Sequence, residues 1–206
     1  MDIQPSLVLF VLVASITPGP NNIMIMTSAL NHGVRASVPH VLGIVLGFPA
    51  LLLAVGFGLG YVFDRYTWLH QIIQAVGICY LLYLAYLIAT TKTTRISEPA
   101  SVASKPLTFF QAALFQWVNP KAWIMGTSAL ATYSTVGADP VWQIIGIVLV
   151  FFVFTFPAVA TWLIFGLALQ RLLSSEDYRT WFNWLMAVLL LVSILPSLRE
   201  LLIALL

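Results

Sequence analysis

Charged residues and cysteine are scarce in this chain. Of its 206 residues only 8% are charged, whereas 61% are hydrophobic and the mean hydropathy is +0.99. Soluble globular domains carry about 25% charged residues, so the composition excludes a soluble domain and indicates an integral membrane protein. Cys79 is the only cysteine. A carrier that passes electrons between thiols and disulfides needs paired cysteines, so that class is excluded as well.

The long apolar runs contain no acidic residue and no clustered histidines. A divalent-cation exporter needs carboxylate or histidine clusters inside the membrane, and an intramembrane hydrolase needs a nucleophile beside a base, or a metal site. Ser28 and Ser128 have no such base inside the runs, and we interpret them as helix-packing residues. We therefore expect no catalytic residue, no metal site and no cofactor.

Six apolar runs are long enough to cross a bilayer as helices, which takes about 20 residues each. They are Ser6–Leu30, Val38–Phe63, Trp68–Ala89, Leu107–Tyr133, Val141–Leu169 and Trp181–Leu198. The sequence therefore predicts an all-α integral membrane protein with six transmembrane helices. The first run lacks a basic amino-terminal region and a small-residue cleavage site, so we expect it to be retained as a helix and not cleaved as a signal peptide.

Two stretches about a hundred residues apart are nearly alike. Pro20–Leu30 and Pro120–Leu130 both end in Thr-Ser-Ala-Leu, and Gly43–Leu46 recurs as Gly146–Leu149. These matches predict an internal duplication. Because each repeat then holds three helices, the second enters the membrane from the opposite face, which is the inverted topology that supports alternating access. The predicted division is a first repeat at 1–90, a cytoplasmic linker at 91–106 and a second repeat at 107–206.

Basic residues in the short loops predict the orientation of the chain, because such residues are retained in the cytoplasm. With the amino terminus outside, only Arg65 and Arg199 lie outside, and the cytoplasmic residues are Arg35, Lys92, Arg95, Lys105, Arg171 and Arg179. We therefore expect both termini on the outer side of the inner membrane. The net charge of +2 is concentrated in cytoplasmic loops. Attraction to anionic lipid explains it, so the bilayer is an expected partner and nucleic acid is not.

Proline motifs break the first and fourth runs near the predicted midplane. They are Thr17-Pro-Gly-Pro-Asn-Asn22 and Asn119-Pro-Lys121. Proline lacks a backbone N–H and glycine permits unusual backbone angles, so both helices should unwind or kink there. A helix that restarts presents unpaired N–H groups and a positive dipole end, which favour a carboxylate. A structural kink without a ligand is the alternative interpretation.

Lys121 is the most informative side chain, because an ammonium at that depth is costly unless it lines a cavity or has a partner. The candidate partners are backbone carbonyls, Asn21, Asn22 and an anionic group of a substrate; alternatively, its long stem reaches the cytoplasmic interface. We expect the two breaks to face each other across the repeat axis. The predicted substrate-binding residues are Thr17, Gly19, Asn21, Asn22, Gln116, Asn119 and Lys121, and the predicted helix-breaking or gating residues are Pro18, Pro20 and Pro120.

With these motifs in view, the chain resembles the LysE/RhtB family of bacterial amino-acid exporters over essentially its whole length. The resemblance is carried by Thr17–Asn22, by His32-Gly33-x-Arg35, by the glycine-rich second helix from Gly43 to Gly60 and by Asn119–Lys121. It implies efflux of amino acids or close derivatives through the inner membrane, driven by the proton motive force. It does not select the substrate.

Several alternatives stay open at this point. Without a carboxylate in the predicted runs, coupling could use Lys121 or the charge of the substrate, or the protein could be a uniporter. A non-transporting membrane sensor or assembly factor, and an exporter of another small solute such as a cation, are the alternative functions. The glycine pairs Gly43/Gly47 and Gly56/Gly60 suit close helix packing, either within one chain or in a homodimer.

Overall fold

The computed structural model describes residues 4–91, 106–134, 139–173 and 175–205, and every regular element in these ranges is helical. The predicted linker at 91–106 therefore lies almost entirely outside the described residues. The elements are α1 (Pro5–Ile16), α2 (Pro20–Ala54), a π-helical segment (Val55–Leu59), α3 (Gly60–Arg65), α4 (Thr67–Ala89), α5 (Phe109–Val118), α6 (Pro120–Tyr133), α7 (Pro140–Leu172) and α8 (Glu176–Leu205).

Four helical stretches in the described ranges are long and apolar enough to cross a membrane. They are Pro20–Val62, Gln71–Ala89, Pro140–Gln170 and Glu176–Ile203, and two shorter apolar helices are Pro5–Ile16 and Phe109–Val118. The first stretch is interrupted at Gly33, whose φ of 77° lies in the left-handed region that glycine adopts most readily. The chain is therefore an all-helical, multi-pass membrane protein, as the composition predicts.

The proline motifs coincide with helix boundaries. Helix α1 ends at Ile16 and α2 begins at Pro20, while α5 ends at Val118 and α6 begins at Pro120. Proline at the first position of a helix loses no hydrogen bond, since that N–H has no partner within the helix. Helix α5 begins with a capping box, in which Thr108 and Gln111 satisfy each other's backbone N–H groups.

Glycines allow the helices of the two predicted repeats to pack closely. The Cβ of a side chain at Gly43 would lie 2.5 Å from the carbonyl oxygen of Phe109, and one at Gly47 would lie 2.6 Å from the Cα of Ala113. A Cβ at Gly166 of α7 would lie 2.3 Å from the carbonyl oxygen of Met26 in α2. The pair Gly43/Gly47 is therefore used for packing within the chain, against α5.

Helix α2 packs mainly on α7 and α5, while α4 packs on α8 and α1 packs on α7. Phe48 and Phe151 meet edge to face in the core between α2 and α7, with ring centroids 5.0 Å apart. Many large apolar side chains point outward instead, including Phe110, Leu172 and Trp181. Such a surface suits contact with lipid, where apolar exposure has no cost in free energy.

Helix α8 is longer than predicted. It runs from Glu176 to Leu205, so that Glu200 lies on the helix and beyond the predicted end at Leu198. The Nε2 of Gln74 in α4 donates to the carbonyl oxygen of Ser197 at 3.0 Å and to a carboxylate oxygen of Glu200 at 3.3 Å. A polar contact between α4 and α8 therefore lies at the end of the predicted apolar run, and the helix continues beyond it.

The contact between α4 and α5 predicts a position-specific effect of adding one methyl group. In Gly77→Ala the new Cβ would lie 2.3 Å from the carbonyl oxygen of Val118, which is backbone and cannot rotate away. We expect a loss of about 1–3 kcal/mol of stability, seen as a lower unfolding temperature in detergent. In the control Gly60→Ala, the nearest atom belongs to Val55 at 3.8 Å and the backbone is helical, so no loss is expected. Equal unfolding temperatures would contradict this packing.

Candidate functional site

The end of α1 leaves backbone carbonyls that no helix bond satisfies, and side chains from elsewhere supply the missing donors. The Nδ2 of Asn22 donates to the carbonyl oxygens of Ser15 at 2.8 Å and Thr17 at 2.9 Å. The indole Nε1 of Trp162, on α7, donates to the carbonyl oxygen of Ile16 at 3.0 Å. The first break is therefore held open by specific hydrogen bonds.

Lys121 connects the second break to the first. Its Nζ donates to the carbonyl oxygen of Thr17 at 2.5 Å and lies 3.4 Å from that of Pro18. A positive charge at the carboxyl end of a helix is also favoured by the helix dipole, here that of α1. Of the candidate partners named from the sequence, the structure thus selects backbone carbonyls.

Gly19 makes room for this contact. A Cβ at this position would lie 2.7 Å from Cδ and 3.1 Å from Nζ of Lys121, so any side chain would displace the lysine. The backbone of Gly19 is extended, with φ of −172° and ψ of 177°, which any residue can adopt. Space for Lys121 is therefore the physical reason for glycine here.

The two restarted helices differ in how their first N–H groups are satisfied. At α6, the side-chain oxygen of Asn119 accepts from the backbone N–H of Lys121 at 3.2 Å, so this helix carries its own cap. Within the described residues, α2 begins after Gly19 without a side-chain cap. The amino end of α2 is thus the one that keeps N–H groups available for an anion.

A reciprocal amide pair connects α2 to α5. The Nδ2 of Asn21 donates to Oε1 of Gln116 at 2.8 Å, and Nε2 of Gln116 donates back to Oδ1 of Asn21 at 3.1 Å. Gln116 is fully buried, and its Nε2 also donates to the carbonyl oxygen of Ala112 at 2.8 Å. This network fixes the orientation of both amides beside the first break.

These groups surround a small cavity, which we call the central cavity. Six of the residues predicted to bind substrate line it: Gly19, Asn21, Asn22, Gln116, Asn119 and Lys121. Thr17 contributes its carbonyl to Lys121, and its hydroxyl donates to the carbonyl oxygen of Val13. Pro18, Pro20 and Pro120 lie at the breaks that bring these groups together.

Sequence reasoning missed two polar residues of this cavity. The hydroxyl oxygens of Ser15 and Thr155 are buried, line the cavity and have no hydrogen-bond partner among the described residues. The apolar wall, including Ile44, Phe48 and Met125, was also missed. The sequence signal that could have identified Thr155 is a hydroxyl residue within the apolar run of α7.

Comparison with known proteins agrees with the motifs. The LysE type translocator family matches residues 12–193. The cysteine/O-acetylserine efflux protein of Escherichia coli strain K12 is 31% identical over 185 residues, covering 88% of this chain and 90% of the relative. The protein of that name from Shigella sonnei strain Ss046 has the same identity and coverage. No solved structure matches. The chain is therefore a transporter and not an enzyme, and it belongs to the LysE type translocator family.

Proposed function

We propose that this protein exports small neutral amino acids or their close derivatives across the bacterial inner membrane. The proposal rests on the central cavity. The ammonium of Lys121, the carbonyl oxygen of Thr17 and the amino end of α2, which has no side-chain cap, lie close together there. Each end of a zwitterionic amino acid would find complementary groups there. The two relatives described above are named for efflux of cysteine and O-acetylserine, which supports the same substrate class.

The carboxylate and the amino group of the solute would use different parts of the cavity. The carboxylate is best placed between the ammonium of Lys121 and the amino end of α2, where charge and dipole both favour an anion. The carbonyl oxygens of Thr17 and Pro18 now accept from Lys121. The amino group of the solute would take over these acceptors as the carboxylate draws Lys121 away.

The apolar wall favours a solute with a small uncharged side chain. Ile44, Phe48 and Met125 line the cavity opposite the polar groups, and Ser15 and Thr155 add two hydroxyls. Among the described lining residues, Lys121 is the one with a charged side chain. A solute with a cationic side chain would bring a second positive charge into this space without an anionic partner.

Alternating access would follow from the two breaks lying in different repeats. We infer six transmembrane helices in two inverted repeats: α1 with the start of α2 and α5 with α6 form the two broken helices, and α4 and α8 are the last helix of each repeat. The packing of α4 on α8 and of α2 on both α5 and α7 supports this pairing. Rocking of one repeat against the other would open the central cavity to each side in turn. Coupling to the proton motive force belongs to the same proposal.

The first prediction of this proposed function is solute exchange by the purified protein. Liposomes loaded with unlabelled L-cysteine or O-acetyl-L-serine should take up the same labelled solute by counterflow, with saturation, because a carrier exchanges solute across the membrane. Liposomes loaded with L-lysine serve as the matched control and should show at least tenfold slower exchange. Binding without exchange would instead favour a sensor or assembly factor. An imposed pH gradient that leaves net transport unchanged would contradict proton coupling.

The second prediction concerns Lys121. In Lys121→Met the ammonium is lost but the length of the side chain is kept, so we expect at least a tenfold fall in counterflow efficiency, since a charged hydrogen bond is worth about 1.5–3 kcal/mol. Gly19→Ala tests the position of the charge separately, because the new methyl group would displace Lys121 without removing it. It should lower efficiency in the same direction. Wild-type kinetics in both variants would rule out the proposed site.

The third prediction is the orientation of the chain. Since most basic residues lie in loops predicted to be cytoplasmic, tags at both termini should be accessible to protease in spheroplasts with intact inner membranes. A cytoplasmic protein of the same cells provides the control for membrane integrity. Tags cleaved only after lysis would reverse the orientation, and cleavage of one tag alone would contradict an even number of spans.

A further inference from the structure

Buried polar atoms without a partner are unevenly distributed in this protein. Such atoms are rare in folded proteins, and each one requires an explanation. Among the described residues they belong to four side chains: Ser15, Thr27, His40 and Thr155. Ser15 and Thr155 line the central cavity, whereas Thr27 and His40 line a second cavity. All four side chains with unpartnered atoms therefore belong to residues that line one of the two cavities.

The second cavity, like the central cavity, is lined in part by α2. His40 of α2 lines the second cavity, and Ile44, about one turn further along the same face of that helix, lines the central cavity. With a rise of about 1.5 Å per residue, Ile44 is about 6 Å further along the helix than His40. The two cavities are thus neighbours along this part of α2.

Several other polar side chains around the second cavity are paired within the protein. The hydroxyls of Ser28 and Ser37 are hydrogen-bonded at 2.7 Å. The Nδ2 of Asn31 donates to Oδ1 of Asn183 at 3.0 Å. His40, in contrast, is 1% exposed and both of its ring nitrogens are without a partner in the described part of the chain. The fully buried side chains of this cavity that lack a partner among the described residues are thus His40 and Thr27.

The remaining wall is apolar. Leu84, Leu87 and Ile88 of α4 line the cavity together with Met24 of α2 and Leu107. A ligand that fits must therefore combine a polar end, which bonds to His40 and Thr27, with a small apolar part. A neutral imidazole has one donor and one acceptor, and a hydroxyl has both, so together they suit the amino and carboxylate groups of a small amino acid.

We propose that the second cavity is a separate binding site for the transported amino acid, occupied between the cytoplasm and the central cavity. The inference rests on the proposed function. Its location supports it, because the cavity is bordered by His32, Thr91 and Pro106, which adjoin the loops predicted to be cytoplasmic. A solute leaving the cell would meet His40 and Thr27 first and the central cavity afterwards.

Substitutions of Thr27 and His40 test the proposal, because the polar atoms of these side chains have no partner among the described residues. Thr27→Val and His40→Leu remove polar atoms that bond to nothing in the described protein, so neither change should lower the unfolding temperature. If a solute bonds to them, however, its binding should weaken. Equilibrium dialysis with labelled L-cysteine should give two molecules bound per wild-type chain and one per chain of either variant. In counterflow, each variant should show about a fivefold higher KM.

Two control variants separate the proposals. Thr161→Val removes an exposed hydroxyl that bonds to the carbonyl oxygen of Pro157 in its own helix, and it should keep wild-type binding and exchange. Thr155→Val, in the central cavity, should weaken exchange whatever the second cavity does. If Thr155→Val impairs exchange while Thr27→Val and His40→Leu behave as wild type, the second cavity holds only water and the inference is wrong. If the wild-type protein neither binds nor exchanges the amino acid, the proposed function fails and the second site fails with it.

Discussion

The ammonium of Lys121 connects the two proline motifs through the carbonyl oxygens of Thr17 and Pro18. These motifs lie at the boundaries between α1 and α2 and between α5 and α6, where backbone groups are released that lipid cannot satisfy. Lys121 lies in the first turn of α6, and its ammonium satisfies carbonyls that follow the end of α1. Asn22 and Trp162 satisfy the remaining carbonyls there. A membrane protein tolerates irregular backbone when its released N–H and carbonyl groups have hydrogen-bond partners. The central cavity lies beside the carbonyls that are satisfied in this way.

The two cavities offer an explanation for the buried polar atoms that have no partner among the described residues. A protein selected for stability alone would pair or replace the hydroxyls of Ser15, Thr27 and Thr155 and the imidazole of His40. Their positions along two adjoining cavities are expected for groups whose partner is a passing solute. Leaving these groups unpaired costs free energy in the empty protein. That cost is recovered when the solute bonds to them, and it offsets part of the free energy of taking the solute out of water. This balance suits a carrier, which must bind its solute and then release it.

Part of this architecture was predictable from the sequence. Hydropathy predicted an all-helical membrane protein, and the proline motifs coincide with the helix boundaries at Ile16 to Pro20 and Val118 to Pro120. The motifs also indicated the family. The end of α8 was not predicted, because the predicted apolar run ends at Leu198, whereas the helix continues and Glu200 contacts Gln74 of α4. Sequence reasoning also could not tell which groups Lys121 contacts, or that Thr155 and His40 lack partners among the described residues. These features depend on how separate helices pack, and no local sequence pattern encodes that packing.

We propose that the transported amino acid binds beside Lys121 in the central cavity and takes over the carbonyls that Lys121 now occupies. The decisive measurement is a structure determined in lipid with the amino acid bound. We expect density for the solute in the central cavity, with its carboxylate at Lys121 and its amino group at the carbonyl oxygen of Thr17. Lys121 should then have moved away from Thr17. Solute density elsewhere, with the contact between Lys121 and Thr17 unchanged, would show that this binding mode is wrong.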